Sequence, residues 1–216
     1  MTANNVYKYI GLLLPVVLLA TTWTVFALLK KHFELRTAYL LGFLFYWIVW
    51  CLVVPLLFLK LQEIRLLFAV NSGLFAKTKV VNVVCLTIPL LLGYGYAFPR
   101  ALQVATLPIL LLSFLLALVN APLEELLWRG LYLKLFGSEK WLYIFYASLG
   151  FAIWHLAPQL IFPNKAPGGQ VSFIVVAFIV GILFSIVSFH TRAILLTSLC
   201  HILFDFSGLG GRIYLH

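Results

Sequence analysis

Seven long apolar runs constrain the fold of this chain more than any other feature of its sequence. They cover residues 9–29, 37–59, 80–99, 101–123, 141–164, 166–189 and 193–211. A helix that crosses a bilayer needs about 20 such residues. Hydrophobic residues make up 64% of the 216 residues and charged residues only 10%, whereas soluble domains carry about 25% charged residues. The sequence therefore predicts an all-α, polytopic membrane helix bundle of about seven transmembrane helices with an intramembrane polar cavity.

The same figures exclude several other classes of protein, among them disordered chains and disulfide-stapled secreted modules. The net charge of +9 comes from basic residues scattered between the runs, a pattern typical of membrane-flanking charge rather than of a nucleic-acid surface. Cys51, Cys85 and Cys200 lie within apolar runs and are predicted to be buried thiols. We expect the chain to lie in a lipid bilayer and to bind no nucleic acid. The sequence does not indicate an oligomeric state.

The chain shows no linker long enough to separate domains, so residues 1–216 are predicted to form one membrane domain, with additional transmembrane helices in residues 1–100. Residues 60–79 surround an apolar segment too short to span, which predicts an interfacial segment that breaks at Asn71-Ser72-Gly73. Residues 124–140 form a second polar connection, helical up to Phe136 and then turning at Gly137-Ser138.

Ionisable residues inside the apolar runs give the main functional signal. The chain has only six acidic residues. Three of them lie in or at the end of apolar runs together with two histidines; these five residues are Glu124, Glu125, Asp205, His155 and His201. Because an ionisable group at membrane depth costs a few kcal/mol, such residues usually face the protein interior and mark a site.

Glu124, Glu125 and Arg129 have a spacing that gives the two glutamates different partners. On a helix, Glu125 and Arg129 are neighbours at i and i+4, whereas Glu124 points about 100° away and has no local cation. One carboxylate is therefore predicted to be structural and the other to be available as a general base. In the alternative interpretation a helix begins after Pro122, both glutamates complement its dipole, and Arg129 reaches the headgroups.

The two histidines belong to two further motifs. Phe151 and His155 share a helix face, where the ring could orient the imidazole, and Pro158 should kink or end that helix. His201 and Asp205 also share a face and could bond to each other or hold a ligand together. Either motif alone is also compatible with a structural role, as a satisfied core histidine or as a polar clamp between helices.

In combination, the acids and histidines of the three runs resemble a water-activating site, which needs a base and groups that hold an oxyanion. Their order also resembles the three motifs of the CPBP family, which comprises the CAAX prenyl endopeptidases and bacteriocin-processing or immunity proteins, also called the Abi group. The resemblance covers about residues 111–207, which would form the catalytic core. It implies a multi-helix intramembrane endopeptidase.

The resemblance also implies roles for the individual residues. Glu124 would activate the water, His155 would assist it, and Glu125 would position Arg129. His201 and Asp205 would stabilise the oxyanion or orient the substrate carbonyl.

This sequence departs from the family at Asp205, where many members have Asn. A carboxylate donates a hydrogen bond only when protonated, so Asp205 could instead orient His201 or ligate a metal. We favour a mechanism without a tightly bound cofactor. The sequence also allows zinc, with His155, His201 and Glu124 as ligands and Asp205 next.

Three functions stay open at this level. The first is an intramembrane endopeptidase that cuts a membrane-associated peptide or protein substrate, lipidated or bearing a leader. The second is a catalytically silent immunity or binding protein, and the third is a small transporter with an acid/histidine proton relay. Compact length and short loops suggest a prokaryotic cell membrane as the location.

Overall fold

The computed structural model describes residues 3–70 and 78–215, and these ranges contain nine helices and no strand. In chain order the helices are α1 (Ala3–His32), α2 (Leu35–Phe58), α3 (Leu61–Leu67), α4 (Lys79–Leu102), α5 (Leu107–Phe136), α6 (a π-helical turn Leu142–Tyr146 followed by Ala147–Trp154), α7 (Gly169–Thr191), α8 (Leu195–Ser207) and α9 (Arg212–Leu215). The prediction of an all-α chain is confirmed. The predicted break at Asn71-Ser72-Gly73 lies outside the described residues.

Five of these helices, α1, α2, α4, α5 and α7, are long and apolar enough to cross a membrane. A polytopic membrane helix bundle is therefore confirmed, and five of the seven predicted runs form single helices of spanning length in the described ranges. The run 141–164 is interrupted because α6 ends at Trp154 and Pro158, which has no backbone N–H to donate, opens a short 3₁₀ turn. The run 193–211 forms only the 13 residues of α8, about 20 Å at 1.5 Å per residue.

Helix α5 extends further than the sequence predicts. Residues from Glu124 to Phe136 belong to this helix and are not a connection, because the chain passes through Pro122 and continues in a π-helical turn at Leu126–Leu131. All six residues of that turn are buried, so its one charged residue, Arg129, lies in the bundle interior. The chain turns at Gly137-Ser138, as predicted.

The charged stretch after α2 forms α3, which has seven residues and is too short to span, in agreement with the sequence. At its start, the carboxylate of Glu63 accepts a hydrogen bond of 2.8 Å from the backbone N–H of Lys60. Glu63 also forms an exposed ion pair with Lys134 of α5. This contact ties α3 to one end of the bundle.

The outer surface of the bundle is apolar and its interior holds the polar groups. Strongly exposed side chains on the long helices include Leu57, Val80, Leu107 and Val171. Buried polar side chains include Glu124, Glu125, Arg129, Ser185, Ser188, Thr197, Ser198 and His201. A distribution with lipid-compatible residues outside and ionisable residues inside is expected for a protein that lies in a bilayer.

Three pairings of helices position the sequence motifs. Helix α5 packs along α8, α6 packs along α7, and α1 packs along α2. Small side chains allow the first contact, because Ala117 and Ala121 of α5 lie against Ile202 of α8. The pairing of α5 with α8 places the first and third motifs opposite each other, while the end of α6 supplies the second.

Candidate active site

Glu125 and Arg129 form a buried ion pair inside α5. Nη1 of Arg129 lies 3.0 Å from Oε1 of Glu125, and both side chains are almost completely inaccessible to solvent. Arg129 also donates from Nη2 to the carbonyl oxygen of Gly181 in α7 at 3.3 Å, and its guanidinium lies 4.5 Å from the centre of the Phe151 ring. The pairing expected from the i, i+4 spacing is present. The alternative of a helix that begins after Pro122, with Arg129 at the headgroups, is wrong.

His201 of α8 lies among three carboxylates. Its Nδ1 is 3.0 Å from Oε1 of Glu125, and its Nε2 is 3.3 Å from Oδ1 of Asp205 and 3.6 Å from Oε2 of Glu124. An ionised carboxylate only accepts hydrogen bonds, so an imidazolium with a hydrogen on each nitrogen satisfies this arrangement. The structure therefore brings the first and third motifs into one cluster.

His155 lies beside this cluster without bonding to it directly. Its Nδ1 donates to the carbonyl oxygen of Phe151 at 2.7 Å, because a carbonyl only accepts. Its Nε2 has no hydrogen-bond partner within the described residues. The Phe151 ring connects the two imidazoles, since its centre lies 4.9 Å from that of His155 and 5.9 Å from that of His201.

The aromatic surroundings of His155 fix the plane of its ring. Trp154 and Phe173 lie 4.8 and 5.3 Å away between ring centres, the second of them on α7. Helix α6 ends at Trp154, so His155 follows its last turn, three residues before Pro158. The imidazole is held by packing while its Nε2 stays available for a water molecule or a substrate.

Asn120 is a site residue that the motif analysis missed. Its Nδ2 donates to Oε2 of Glu124 at 3.1 Å and to Oδ2 of Asp205 at 2.9 Å. Its Oδ1 accepts a hydrogen bond of 2.8 Å from the indole N–H of Trp47 in α2. The sequence offers one signal for it, because Asn120 is the one asparagine in the run 101–123 and stands four residues before Glu124.

The two oxygens of Glu124 have different environments. Oε2 faces Asn120 and His201, whereas Oε1 is buried and has no partner within ordinary hydrogen-bond distance in the described part of the chain. The buried hydroxyl of Tyr46 is a further neighbour of this carboxylate. Buried polar atoms are almost always paired, so an unpaired carboxylate oxygen at such a place indicates a position for a water molecule or a substrate group.

The polar cluster approaches the molecular surface on one edge. Glu124, Glu125 and His201 have side chains at most 3% exposed, but the side chain of Asp205 is 27% exposed. Asn120 is also only partly buried. A substrate that arrives at this edge would meet Asp205 first, with Glu124 beneath it.

The residues named as candidate zinc ligands do not form a metal site as they are placed. No group of three or more His, Cys, Asp or Glu side chains in the described ranges has an arrangement that could hold a metal ion. The Nδ1 atom of His201 is engaged by Glu125, and the Nδ1 atom of His155 is engaged by the carbonyl oxygen of Phe151.

The comparisons with known proteins agree with the motifs. Residues 105–207 match the model of a family described as type II CAAX prenyl endopeptidase Rce1-like, and all three motifs lie in this segment. The predicted resemblance to the CAAX endopeptidase family is thereby confirmed. The matched family is one of proteases. The match and the five long apolar helices together indicate an integral membrane protein. No curated protein and no solved structure matches the chain.

Proposed function

We propose that this chain, whose residues 105–207 match the Rce1-like endopeptidases, hydrolyses a peptide bond of a membrane-associated substrate with a water molecule that Glu124 activates. The observation that carries the proposal is the buried, unpaired Oε1 of Glu124, a carboxylate whose other oxygen, Oε2, lies 3.6 Å from Nε2 of His201. A general base must lie within hydrogen-bond reach of the proton it removes, and this oxygen can accept one from a bound water.

The chemistry requires only groups that the site contains. Glu124 takes a proton from water, and the hydroxide attacks the carbonyl carbon of the scissile peptide bond. The negative oxygen of the tetrahedral intermediate accepts a hydrogen bond from His201. Protonated Glu124 then gives its proton to the leaving nitrogen as the C–N bond breaks. The products are a carboxylic acid and an amine, and the acid then gives its proton to the amine to leave a carboxylate and an ammonium group.

The other residues hold this arrangement in place. Glu125 fixes both Arg129 and the Nδ1 side of His201, so that Nε2 faces the reacting carbonyl. His155, through its free Nε2, assists in positioning the water. Asp205 lies at the exposed edge and orients His201 and the entering peptide.

A membrane-associated substrate suits the placement of the site. The cluster lies within a bundle whose outer surface is apolar, and its exposed edge is at Asp205 on α8. A lipidated or leader-bearing peptide is concentrated at the bilayer by its own apolar part, so its scissile bond can reach this edge without leaving the membrane. We propose the cell membrane of a prokaryote as the location.

Cleavage by the purified protein tests the proposal. Wild type, Glu124→Gln and Glu139→Gln are incubated in detergent with a panel of prenylated and leader-bearing peptides, with and without a chelator. Glu124→Gln should reduce the cleavage rate by about 10²- to 10⁴-fold, since an amide is not a base. Glu139, which pairs with Lys8 at the surface, is the matched control and should keep its activity when changed.

Each result separates one alternative. Cleavage that survives Glu124→Gln contradicts Glu124 as the base. A wild-type protein that cuts no member of the panel contradicts the substrate class proposed here and favours an immunity or binding protein. Loss of wild-type cleavage with chelator, restored by added zinc, contradicts the metal-free mechanism.

A further inference from the structure

A single amide, that of Asn120, joins two carboxylates of the candidate site that belong to different helices. Glu124 lies on α5 and Asp205 on α8, and Nδ2 of Asn120 lies 3.1 and 2.9 Å from their respective oxygens. An amide nitrogen has two hydrogens, so both contacts can form at once. Asn120 thus places one donor between two groups that would otherwise repel each other.

Trp47 determines which way this amide points. The indole nitrogen is a donor only, and it lies 2.8 Å from Oδ1 of Asn120. The oxygen must therefore face Trp47, and the amide nitrogen must face the two carboxylates. Trp47 is almost completely buried, in a π-helical turn of α2, so the orientation is set by a third helix.

The consequence concerns the reactive atom of Glu124. Because Asn120 occupies Oε2, the carboxylate cannot rotate freely, and Oε1 is the oxygen left without a partner. Without this hydrogen bond, either oxygen could turn towards His201. The same amide also fixes Asp205, at the edge where a substrate enters.

We infer that Asn120 is a positioning residue, oriented by Trp47, that holds Glu124 and Asp205 in the geometry needed for hydrolysis. The inference rests on the proposed peptidase function. Supporting groups of this kind typically change activity by about 10- to 100-fold when removed. Because Asn120 acts mainly on the water-activating carboxylate of Glu124, the larger effect should appear in kcat, with a smaller change in KM through Asp205.

Two single variants and an exchange of the two side chains test the inference in the purified protein. Asn120→Ala should lower kcat for the cleaved peptide by about 10- to 100-fold. Asn120→Asp should lower kcat at least as much, because a carboxylate accepts from Trp47 but donates nothing to Glu124. The double variant Asn120→Asp/Asp205→Asn exchanges the two side chains, so that the carboxylate lies on α5 at position 120 and the amide lies opposite it on α8 at position 205. It should therefore recover melting temperature relative to Asn120→Asp without recovering kcat.

Asn82→Ala is the matched control, because Asn82 is a buried amide that bonds to His190 on another helix, away from the site. It should lower the melting temperature while the folded protein keeps its kcat. Trp47→Phe should lower kcat in the same direction as Asn120→Ala, since it frees the amide to flip.

The outcomes distinguish this inference from the proposed function. Two results with an active wild type would overturn the role of Asn120. In the first, Asn120→Ala cuts as well as the wild type; in the second, it loses activity only in proportion to the fraction of unfolded protein. Either result would leave the proposed peptidase function standing. Recovery of full kcat by the exchange variant also overturns it, since Glu124 would then need no donor. A wild type without cleavage contradicts both.

Discussion

Nδ1 of His201 lies 3.0 Å from Oε1 of Glu125, although 76 residues separate the two in sequence. The same carboxylate oxygen lies 3.0 Å from Nη1 of Arg129. Glu125 is thus the anionic centre between two cationic or hydrogen-donating groups, one on its own helix and one on α8. Its neighbour Glu124 does not pair with Arg129, so the two adjacent glutamates have different roles: Glu125 is structural and Glu124 is available for chemistry.

Glu125→Ala should destabilise the protein strongly, because it leaves Arg129 and His201 without their partner in the bundle interior. Removal of one member of a buried ion pair typically costs about 3–5 kcal/mol. Thermal unfolding in detergent, followed by the fluorescence of a thiol probe on the buried cysteines, measures the effect. The matched control is Glu63→Ala at the exposed pair with Lys134, which should change stability by less than about 1 kcal/mol. Equal melting temperatures for the two variants would contradict the structural role of Glu125.

Glu124→Gln should have the opposite profile, with melting temperature unchanged or raised while cleavage is lost. The buried Oε1 atom has no partner in the described residues, so the ionised side chain is costly to hold there. A neutral amide of the same shape removes that cost, while its oxygen still accepts from Asn120. Thermal unfolding in detergent, measured as for Glu125→Ala, tests this expectation. A clear drop in melting temperature would show that Glu124 stabilises the bundle and is not held at a cost for function.

His155→Ala should lower the cleavage rate by about 10²-fold or more with a small loss of stability. Its Nδ1 hydrogen bond to Phe151 is local, so little of the bundle depends on it, but its Nε2 is the free nitrogen at the edge of the cluster. His190→Ala is the control, because His190 bonds to Asn82 outside the site and should be dispensable for cleavage. Comparable activity of the two variants would show that His155 belongs to the core and not to the chemistry.

The parts of the site that could be predicted from sequence are those fixed within one helix. The i, i+4 spacing is enough to place Glu125 against Arg129 and His201 against Asp205, because neighbouring turns of a helix bring such residues together whatever surrounds it. The resemblance to the CPBP family implies in addition that these two pairs lie together in one site.

Contacts between helices could not be predicted in the same way. The hydrogen bonds of Asn120 to Trp47 and Asp205 depend on how three helices pack, and no spacing in the sequence encodes that. Two of the seven predicted runs form shorter helices for a related reason. The length of an apolar run measures hydrophobicity and does not say where a helix ends. Helix α6 ends at Trp154, inside such a run, close to Pro158, which has no backbone N–H to continue the helical hydrogen bonds.

The close contact between α6 and α7 gives a last prediction, at Gly181. A Cβ at this position would lie 3.0 Å from Cβ of Ser148 and 3.3 Å from the Phe151 ring, and the carbonyl oxygen of Gly181 accepts from Arg129. Gly181→Val should therefore push α7 away from α6, cost about 1–3 kcal/mol and reduce cleavage in the protein that remains folded. Gly95→Ala on α4 is the matched control, because a Cβ there meets nothing within 4 Å and alanine favours the helix. Thermal unfolding and cleavage assays on both variants test this, and a Gly181→Val protein as stable and active as Gly95→Ala would contradict the close packing of α6 and α7 around Arg129.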